Sequence, residues 1–317
     1  MSPPKAESLR SQALSAFELP MAPQRIDELP PPLPGVAACR VHAPAGRFLL
    51  ICSEAPLGLA FEATLFDLLV EARFPAPRPR RAPGGSLIAL LKREGGHAAA
   101  ACYAWPPGEP LTPQLLEPPH QLELGRLLAR LHLLAETHPA SVADPCDGPA
   151  LAARLPSGSD ADALRPVLAA GLPALPLGAL HGGLAPSLAL FIGNRCSAFL
   201  PSGRASSAAL VLDVAEAICA WSLPLARPLP SLRGILSGYQ AVRRFVPEER
   251  EAFFAALRLA AARAAARRLL QAGDSAPAEP AEPAEPAEPA EPAEPSPLEP
   301  LRAALALDEA EVRAAVG

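Results

Sequence analysis

Apolar positions recur at two different spacings, and the change between them divides the chain into two parts. In the first part, the segments 35–55 and 86–105 each resemble a pair of short strands joined by a turn. Between them, residues 59–74 repeat apolar side chains every three to four positions, which predicts an amphipathic helix. Beyond about residue 114 the helical spacing dominates, and 121–138 is its strongest example. The pattern therefore predicts a small strand-rich region followed by a larger helical one.

The helical region is interrupted by one strand hairpin, predicted at 191–201 after an apolar run at 173–180. Further helices are predicted at 5–18, 160–170, 209–223, 232–245, 247–271 and 298–317. Together these elements predict an α+β fold.

Prolines mark the boundaries between the predicted units. The connector PPGEPLTP (106–113) is expected to be irregular, because proline lacks the N–H that ladders and helices use. Residues 278–295 repeat AEP six times, which predicts an extended, disordered polyproline spacer. The predicted organisation is an N-lobe (1–105), a connector (106–113), a helical C-lobe (114–275), a spacer (276–297) and a C-terminal helix (298–317).

Composition narrows the function classes. The net charge is −5, and the arginine groups at 78–81 and 262–268 are interpreted as a solvated loop and a solvated helix face. We therefore expect no nucleic-acid surface. The six cysteines lack CxxC spacing, so we expect buried free thiols and no metal site. Because no apolar stretch is long enough for a membrane helix, we expect a cytoplasmic protein with no membrane partner.

Several motifs carry a family resemblance in matching order. LGRLLARLH (124–132) resembles a helix of the aminoglycoside phosphotransferase/choline kinase superfamily. FPAPRP (74–79), DVAEAICAW (213–221) and SGYQAVRRFVPEERE (237–251) resemble its bacterial homoserine kinase branch. The similarity covers roughly 5–275 and the last twenty residues. It implies a two-lobed, protein-kinase-like fold with a small β-rich N-lobe and a larger helical C-lobe.

The resemblance also assigns positions in the segment LHGGLAPSLALF (180–191), where the family has its catalytic loop. His181 matches the loop histidine. Gly183 stands where the catalytic aspartate would be, Leu188 where the metal-binding asparagine would be, and Pro201 where a second metal-binding aspartate would be. The residues that do the chemistry in the family are therefore missing from a degenerate loop.

Two further matches concern the support of that loop: Asp213 and Trp221 correspond to the helix beneath it. His181 is either a general base, which would need an orienting acid that is not evident nearby, or a structural histidine that hydrogen-bonds the hairpin backbone, and we expect the second role. Gly182–Gly183 forms either an ordinary turn or a phosphate cradle.

Three other residues bear on whether chemistry survives. Ile51 lies roughly where such a fold places a cation for the phosphates, and Asp67 lies near the position of the N-lobe helix acid. Glu216 lies one helical step beyond Asp213 and is the one acid with a position from which it could reach the cleft, but we do not expect it to replace the missing groups.

Three functional hypotheses follow. The first is an inactive pseudokinase that serves as a binding or regulatory module, with no assigned cofactor, metal or ligand. The alternative is an active kinase that uses ATP and Mg²⁺ to phosphorylate a small hydroxyl compound such as homoserine, in threonine biosynthesis. The third is a scaffold whose last helix presents an apolar face (Leu298, Leu301, Leu305 and Val312) to a protein partner; the same helix is otherwise expected to pack on its own C-lobe.

Overall fold

The computed structural model describes residues 3–20, 25–29, 35–93, 96–138, 141–275 and 296–317. The AEP repeat lies outside these ranges. Within them the chain forms an antiparallel sheet followed by a largely helical lobe, which is the predicted α+β class.

The N-lobe is an antiparallel sheet with a helix on each face. Its strands run in the order β1-β2-β3-β6-β4, and β5 also pairs with β6. Alternate residues of β3 point to opposite faces, so Leu49 and Ile51 join the core under one helix while Leu50 and Cys52 join the core under the other. The elements are α1 (Pro3–Ala16), β1 (Arg25–Leu29), β2 (Val36–Ala43), β3 (Gly46–Ser53), α2 (Pro56–Glu71), β4 (Pro79–Arg80), β5 (Ile88–Arg93) and β6 (Gly96–Ala104).

The C-lobe is built around close helix packing. Helices α3 and α7 approach until their backbones touch, because a Cβ on Gly125 would overlap the carbonyl oxygen of Ile235. The long helix α8 packs against α4, α5, α6, α9 and α10. The helices are α3 (Pro118–Ala135), α4 (Gly148–Arg154), α5 (Ser159–Ala170), α6 (Leu210–Trp221), α7 (Pro228–Gln240), α8 (Pro247–Ser275), α9 (Glu299–Leu305) and α10 (Glu309–Val316).

Five short strands frame the loop that was predicted to be degenerate. Strand β9 pairs with β10 and with β7, and β11 pairs with β8. The strands are β7 (Glu109–Pro110), β8 (Leu177–Leu180), β9 (Ala189–Ile192), β10 (Arg195–Phe199) and β11 (Ser206–Ala209).

Several local predictions were wrong. The connector 106–113 is not irregular throughout, because it supplies β7, where a proline is tolerated at the edge of a sheet. The arginine segment 78–81 contains β4 rather than only loop. Helix α4 and strands β1 and β11 were not predicted.

The C-terminal segment forms two helices and not the single helix predicted for 298–317. The break falls at Asp308, whose carboxylate accepts hydrogen bonds from the backbone N–H groups of Ala310 and Glu311. Leu298, Leu301 and Val312 are buried, and Leu305 alone of the predicted partner-binding face is half exposed. The chain itself therefore covers most of that face, with α9 on α8 and α10 on α7 and α8.

Two expectations from the sequence concern the cysteines and membrane-spanning helices. The six cysteines are buried free thiols. No helix in the described part of the chain is long and apolar enough to span a bilayer.

Candidate functional site

The loop predicted to be degenerate connects β8 to β9 across residues 181–188. Gly182 and Gly183 have φ values of +84° and +101°, a region that residues with a Cβ rarely adopt. A short 3₁₀ turn at Pro186–Leu188 then leads into β9. The two glycines therefore fit the shape of the turn.

Asp213, in the first turn of α6, holds this loop from below. Its Oδ2 accepts hydrogen bonds from the His181 backbone N–H at 2.8 Å and from His132 Nε2 at 3.1 Å. Its Oδ1 accepts from the N–H groups of Gly182 and Gly183, at 3.1 and 3.3 Å. Since both glycine N–H groups point at Asp213, the geometry favours the ordinary turn over the phosphate cradle.

The contacts beneath the loop continue into the helical core. The Nδ1 of His132 is hydrogen-bonded to the Tyr239 hydroxyl at 2.7 Å. Trp221 donates its indole N–H to the Leu184 carbonyl at 2.8 Å. Burial acts to raise the pKa of Asp213, but the hydrogen bond and charge of His132 and the bond from the His181 N–H lower it to about 2. Asp213 therefore sits beneath the loop as a carboxylate whose hydrogen bonds are satisfied.

His181 is fully buried and contacts the hairpin that follows the loop. Its Nε2 is hydrogen-bonded to the Leu200 carbonyl at 2.9 Å, and its own carbonyl accepts from the Ser202 hydroxyl at 2.7 Å. Burial lowers the pKa of His181, which favours the neutral ring. This is the contact expected of a histidine that supports the loop.

Glu62 links the N-lobe to the turn after β10. Its carboxylate accepts hydrogen bonds from the backbone N–H groups of Ser202 and Gly203, both at 2.9 Å, and from the Ser202 hydroxyl at 3.2 Å. Burial raises the pKa of Glu62 to about 7, even though these hydrogen bonds oppose the shift.

Both Glu62 and Asp67 lie on α2. The sequence interpretation placed the acid of the N-lobe helix near Asp67, which in the structure pairs with Arg81. The overlooked signal is that Glu62 shares one face of α2 with the buried residues Leu59, Phe66 and Leu69. Ile51 lies in the apolar core under α2, only 1% exposed.

Arg204 occupies the space above Gly183. A Cβ on Gly183 would overlap the Nη2 atom of Arg204 and lie 2.9 Å from Oε2 of Glu216. That Nη2 donates a hydrogen bond to the Gly183 carbonyl at 3.2 Å. Sequence reasoning missed Arg204. In the folded chain its guanidinium fills the position where a side chain at residue 183 would begin.

Glu216 is held by arginines of α8. Its Oε1 lies 3.2 Å from Nε of Arg263 and 3.3 Å from Nη1 of Arg267, and Arg263 also pairs with Asp144 at 2.7 Å. Segment 262–268 is therefore not the solvated face that was predicted, because Arg263 is only 4% exposed. Between its arginines, Ala265 and Ala266 pack into the core on the same helix.

The two remaining positions carry apolar side chains. Leu188 is partly buried against the main core, and Pro201 is buried beside the turn that Glu62 holds. The part of the chain that the structure describes brings together no group of three or more His, Cys, Asp or Glu side chains able to hold a metal.

Solved structures that superimpose on this chain include kinases and phosphotransferases. An amicoumacin kinase superimposes with a TM-score of 0.65, at 13% identity, over 79% of this chain and 82% of that one. A microcompartment-associated aminopropanol kinase gives 0.60, at 14% identity, over 96% and 94%. An aminoglycoside-3'-phosphotransferase of type VIII gives 0.56, at 17% identity, over 82% and 100%. They confirm the two-lobed, kinase-like fold.

Sequence relatives are closer. The homoserine kinase of Acidiphilium cryptum is 31% identical over 227 residues, which are 65% of this chain and 69% of the relative. The chain belongs to the homoserine kinase family. A second homoserine kinase, from Parvibaculum lavamentivorans, is 27% identical over 227 residues, 66% of this chain and 69% of that one. No family model matches the chain. The predicted homoserine kinase resemblance is thus confirmed.

Proposed function

We propose that this member of the homoserine kinase family is a pseudokinase, without phosphotransferase activity, that acts as a binding or regulatory module. The observation that carries the proposal is the Arg204 guanidinium packed on Gly183, at the position the resemblance assigns to the catalytic aspartate.

Phosphoryl transfer of this class depends on positioning and charge. A carboxylate orients the attacking hydroxyl and takes its proton, and a positioned acid–base group contributes about 10²–10⁴-fold to the rate. An arginine remains protonated and only donates hydrogen bonds, so Arg204 does not replace that carboxylate.

The residues present also do not fit a magnesium–nucleotide complex. Mg²⁺ prefers an octahedral shell of oxygen ligands. Leu188 and Pro201 provide no side-chain oxygen, and the Glu62 carboxylate already accepts hydrogen bonds from the turn at Ser202–Gly203. We therefore expect no tight divalent-ion site in the cleft.

The alternative is an active kinase that transfers phosphate from ATP to homoserine, as the names of the relatives indicate. One observation favours it: the Glu216 carboxylate lies next to Gly183. Burial acts to raise the pKa of Glu216, but Arg263 and Arg267 lower it below its usual value. A carboxylate held in this way is a weak base.

The discriminating experiment measures phosphate transfer from labelled ATP to L-homoserine with Mg²⁺, next to an active homoserine kinase as positive control. We expect no product above the enzyme-free rate. Turnover that is lost in Glu216→Gln but kept in Glu248→Gln, which changes an exposed acid on α8, would establish the active kinase instead.

A further inference from the structure

A cavity of about 330 Å³ opens beside Gly183, on the C-lobe side of the loop. Small apolar residues such as Ala220, Ala260 and Ala264 line part of its wall. Its charged lining is uneven, because three arginines face one carboxylate. The charged residues are Arg204, Arg267, Arg268 and Glu216.

Arg204 is the feature that indicates a ligand. Its side chain is buried, with the residue only 8% exposed, and its Nη2 donates to the Gly183 carbonyl. Its Nε has no hydrogen-bond partner among the described residues. A buried cationic donor without a partner is costly, so an acceptor that reached it would be favoured.

The neighbouring ion pairs leave positive charge in excess. Arg263 and Arg267 share Glu216, and Arg263 also binds Asp144. Together with Arg204, three buried or half-buried guanidinium groups therefore face two carboxylates. Arg268 adds a further positive charge at the exposed rim.

We propose that this cavity binds a small metabolite through an oxyanion, either phosphate or carboxylate, held by Arg204, Arg267 and Arg268. The planar guanidinium fork matches the geometry of both oxyanions. The cavity lies at the lower end of the volume range of small-molecule pockets, which suits a ligand about the size of an amino acid. The inference names the ligand class of the proposed binding module and in that sense rests on the proposed function.

The test titrates the full chain by calorimetry with inorganic phosphate and, separately, with acetate, at constant ionic strength and without nucleotide or Mg²⁺. Binding of one phosphate per chain is expected. Comparison with acetate shows which oxyanion the cavity prefers. Binding of neither ion beyond a chloride control would overturn the inference.

Variants test whether the arginines of the cavity are responsible. Arg268→Ala lies at the rim, and we expect it to weaken phosphate binding by about fivefold. Arg204→Lys keeps the charge without the fork and should weaken binding by about tenfold. The matched control is Arg250→Ala, which removes an exposed arginine from α8, the helix that also carries Arg268. It should leave the phosphate affinity unchanged. Equal effects of Arg268→Ala and Arg250→Ala would mean general surface attraction and would contradict the proposal.

A change of opposite sign keeps the test decisive if Arg204→Lys fails to fold. Glu216→Gln removes the carboxylate that competes for Arg267, so phosphate should bind this variant more tightly than the parent chain. Added phosphate should therefore raise the melting temperature of the variant by more than it raises the melting temperature of the parent. A smaller or equal rise would contradict the site. These measurements contain no ATP and are therefore independent of the kinase assay. If phosphate does not bind, the proposed lack of phosphotransferase activity is unaffected. If the chain turns over ATP, that lack of activity is refuted, but the anion site is not.

Discussion

Beneath the 181–188 loop, the Asp213 carboxylate accepts four hydrogen bonds, three of them from the loop backbone. Above the same loop, the guanidinium of Arg204 lies against Gly183, with the Glu216 cluster beside it. The lower side contains the groups that shape the loop, and the upper side faces the cavity. One stretch of chain thus has a hydrogen-bonded carboxylate on one side and an arginine-rich surface on the other.

The difference shows that support and chemistry depend on separate residues. Burial and hydrogen bonding keep Asp213 and Trp221 in place whatever faces the cleft, because these contacts stabilise the fold itself. On the upper face, residue 183 carries no side chain and residue 188 carries an apolar one, so neither offers a side-chain oxygen to the cleft. The loop geometry therefore persists here together with side chains that cannot perform the reaction we infer to be lost.

The largest expected effect is on the lower side. Asp213→Asn places an amide among four hydrogen-bond donors and breaks the buried pair with His132, so we expect a loss of about 3–5 kcal/mol in the free energy of unfolding, measured with urea. The control Asp67→Asn removes a surface pair and should change stability by less than about 1 kcal/mol. Similar losses in both variants would show that Asp213 does not support the loop.

The Asp213 carboxylate also makes the free energy of unfolding depend on pH in the acid range. Because the folded pKa of Asp213 is about 2 and its ordinary value is 3.8, its contribution is present above pH 3.8 and is lost as the pH falls toward 2.

The next largest effect concerns Glu62, which links α2 of the N-lobe to the turn after β10. Its pKa rises from 4.5 to about 7 on folding, so the folded state binds more protons and stability falls as the pH rises from 4.5 to 7. The full change is on the order of 3 kcal/mol. Glu62→Gln should flatten this dependence in urea unfolding series across that range, because glutamine still accepts hydrogen bonds but does not titrate.

The control for that series is Glu248→Gln, an exposed acid on α8, which should retain the parental slope. An unchanged slope in Glu62→Gln would mean that another group titrates.

Gly183 gives the smallest effect and tests the upper side. Gly183→Ala combines a positive φ with overlap on Arg204, so we expect a loss of about 2 kcal/mol. Gly193 also has a positive φ but has open space around it, and Gly193→Ala should cost about 1 kcal/mol. In an Arg204→Ala background the loss at residue 183 should become smaller, although Oε2 of Glu216 still lies 2.9 Å from the added Cβ. An unchanged loss would show that Arg204 does not occupy the space.

Local pattern predicted most of the elements that position the loop. Apolar spacing alone predicted the helices around 121–138 and 209–223 and the hairpin at 191–201. In each of them the regularly spaced apolar side chains are the ones buried in the folded chain. Strands β7 and β11 are short and depend on partners distant in sequence, so local spacing carries little signal for them.

The upper side of the site was harder to predict for the same reason. Arg204 reaches Gly183 across 21 positions, and Glu62 reaches Ser202 across 140. The burial of Arg263 was hidden because alanine, which surrounds it, is compatible with both core and surface faces. By contrast, the position of Asp213 under the loop was accessible through the family motif that contains it.

Counting bound divalent ions tests the central claim most directly. Electron paramagnetic resonance with Mn²⁺ in place of Mg²⁺, in the presence of ATP, measures the ions held by the full chain relative to ATP alone. The account predicts no additional tightly bound Mn²⁺ per chain, since Gly183, Leu188 and Pro201 offer no side-chain oxygen. One tightly bound ion per chain that disappears in Glu62→Gln or Glu216→Gln would contradict it.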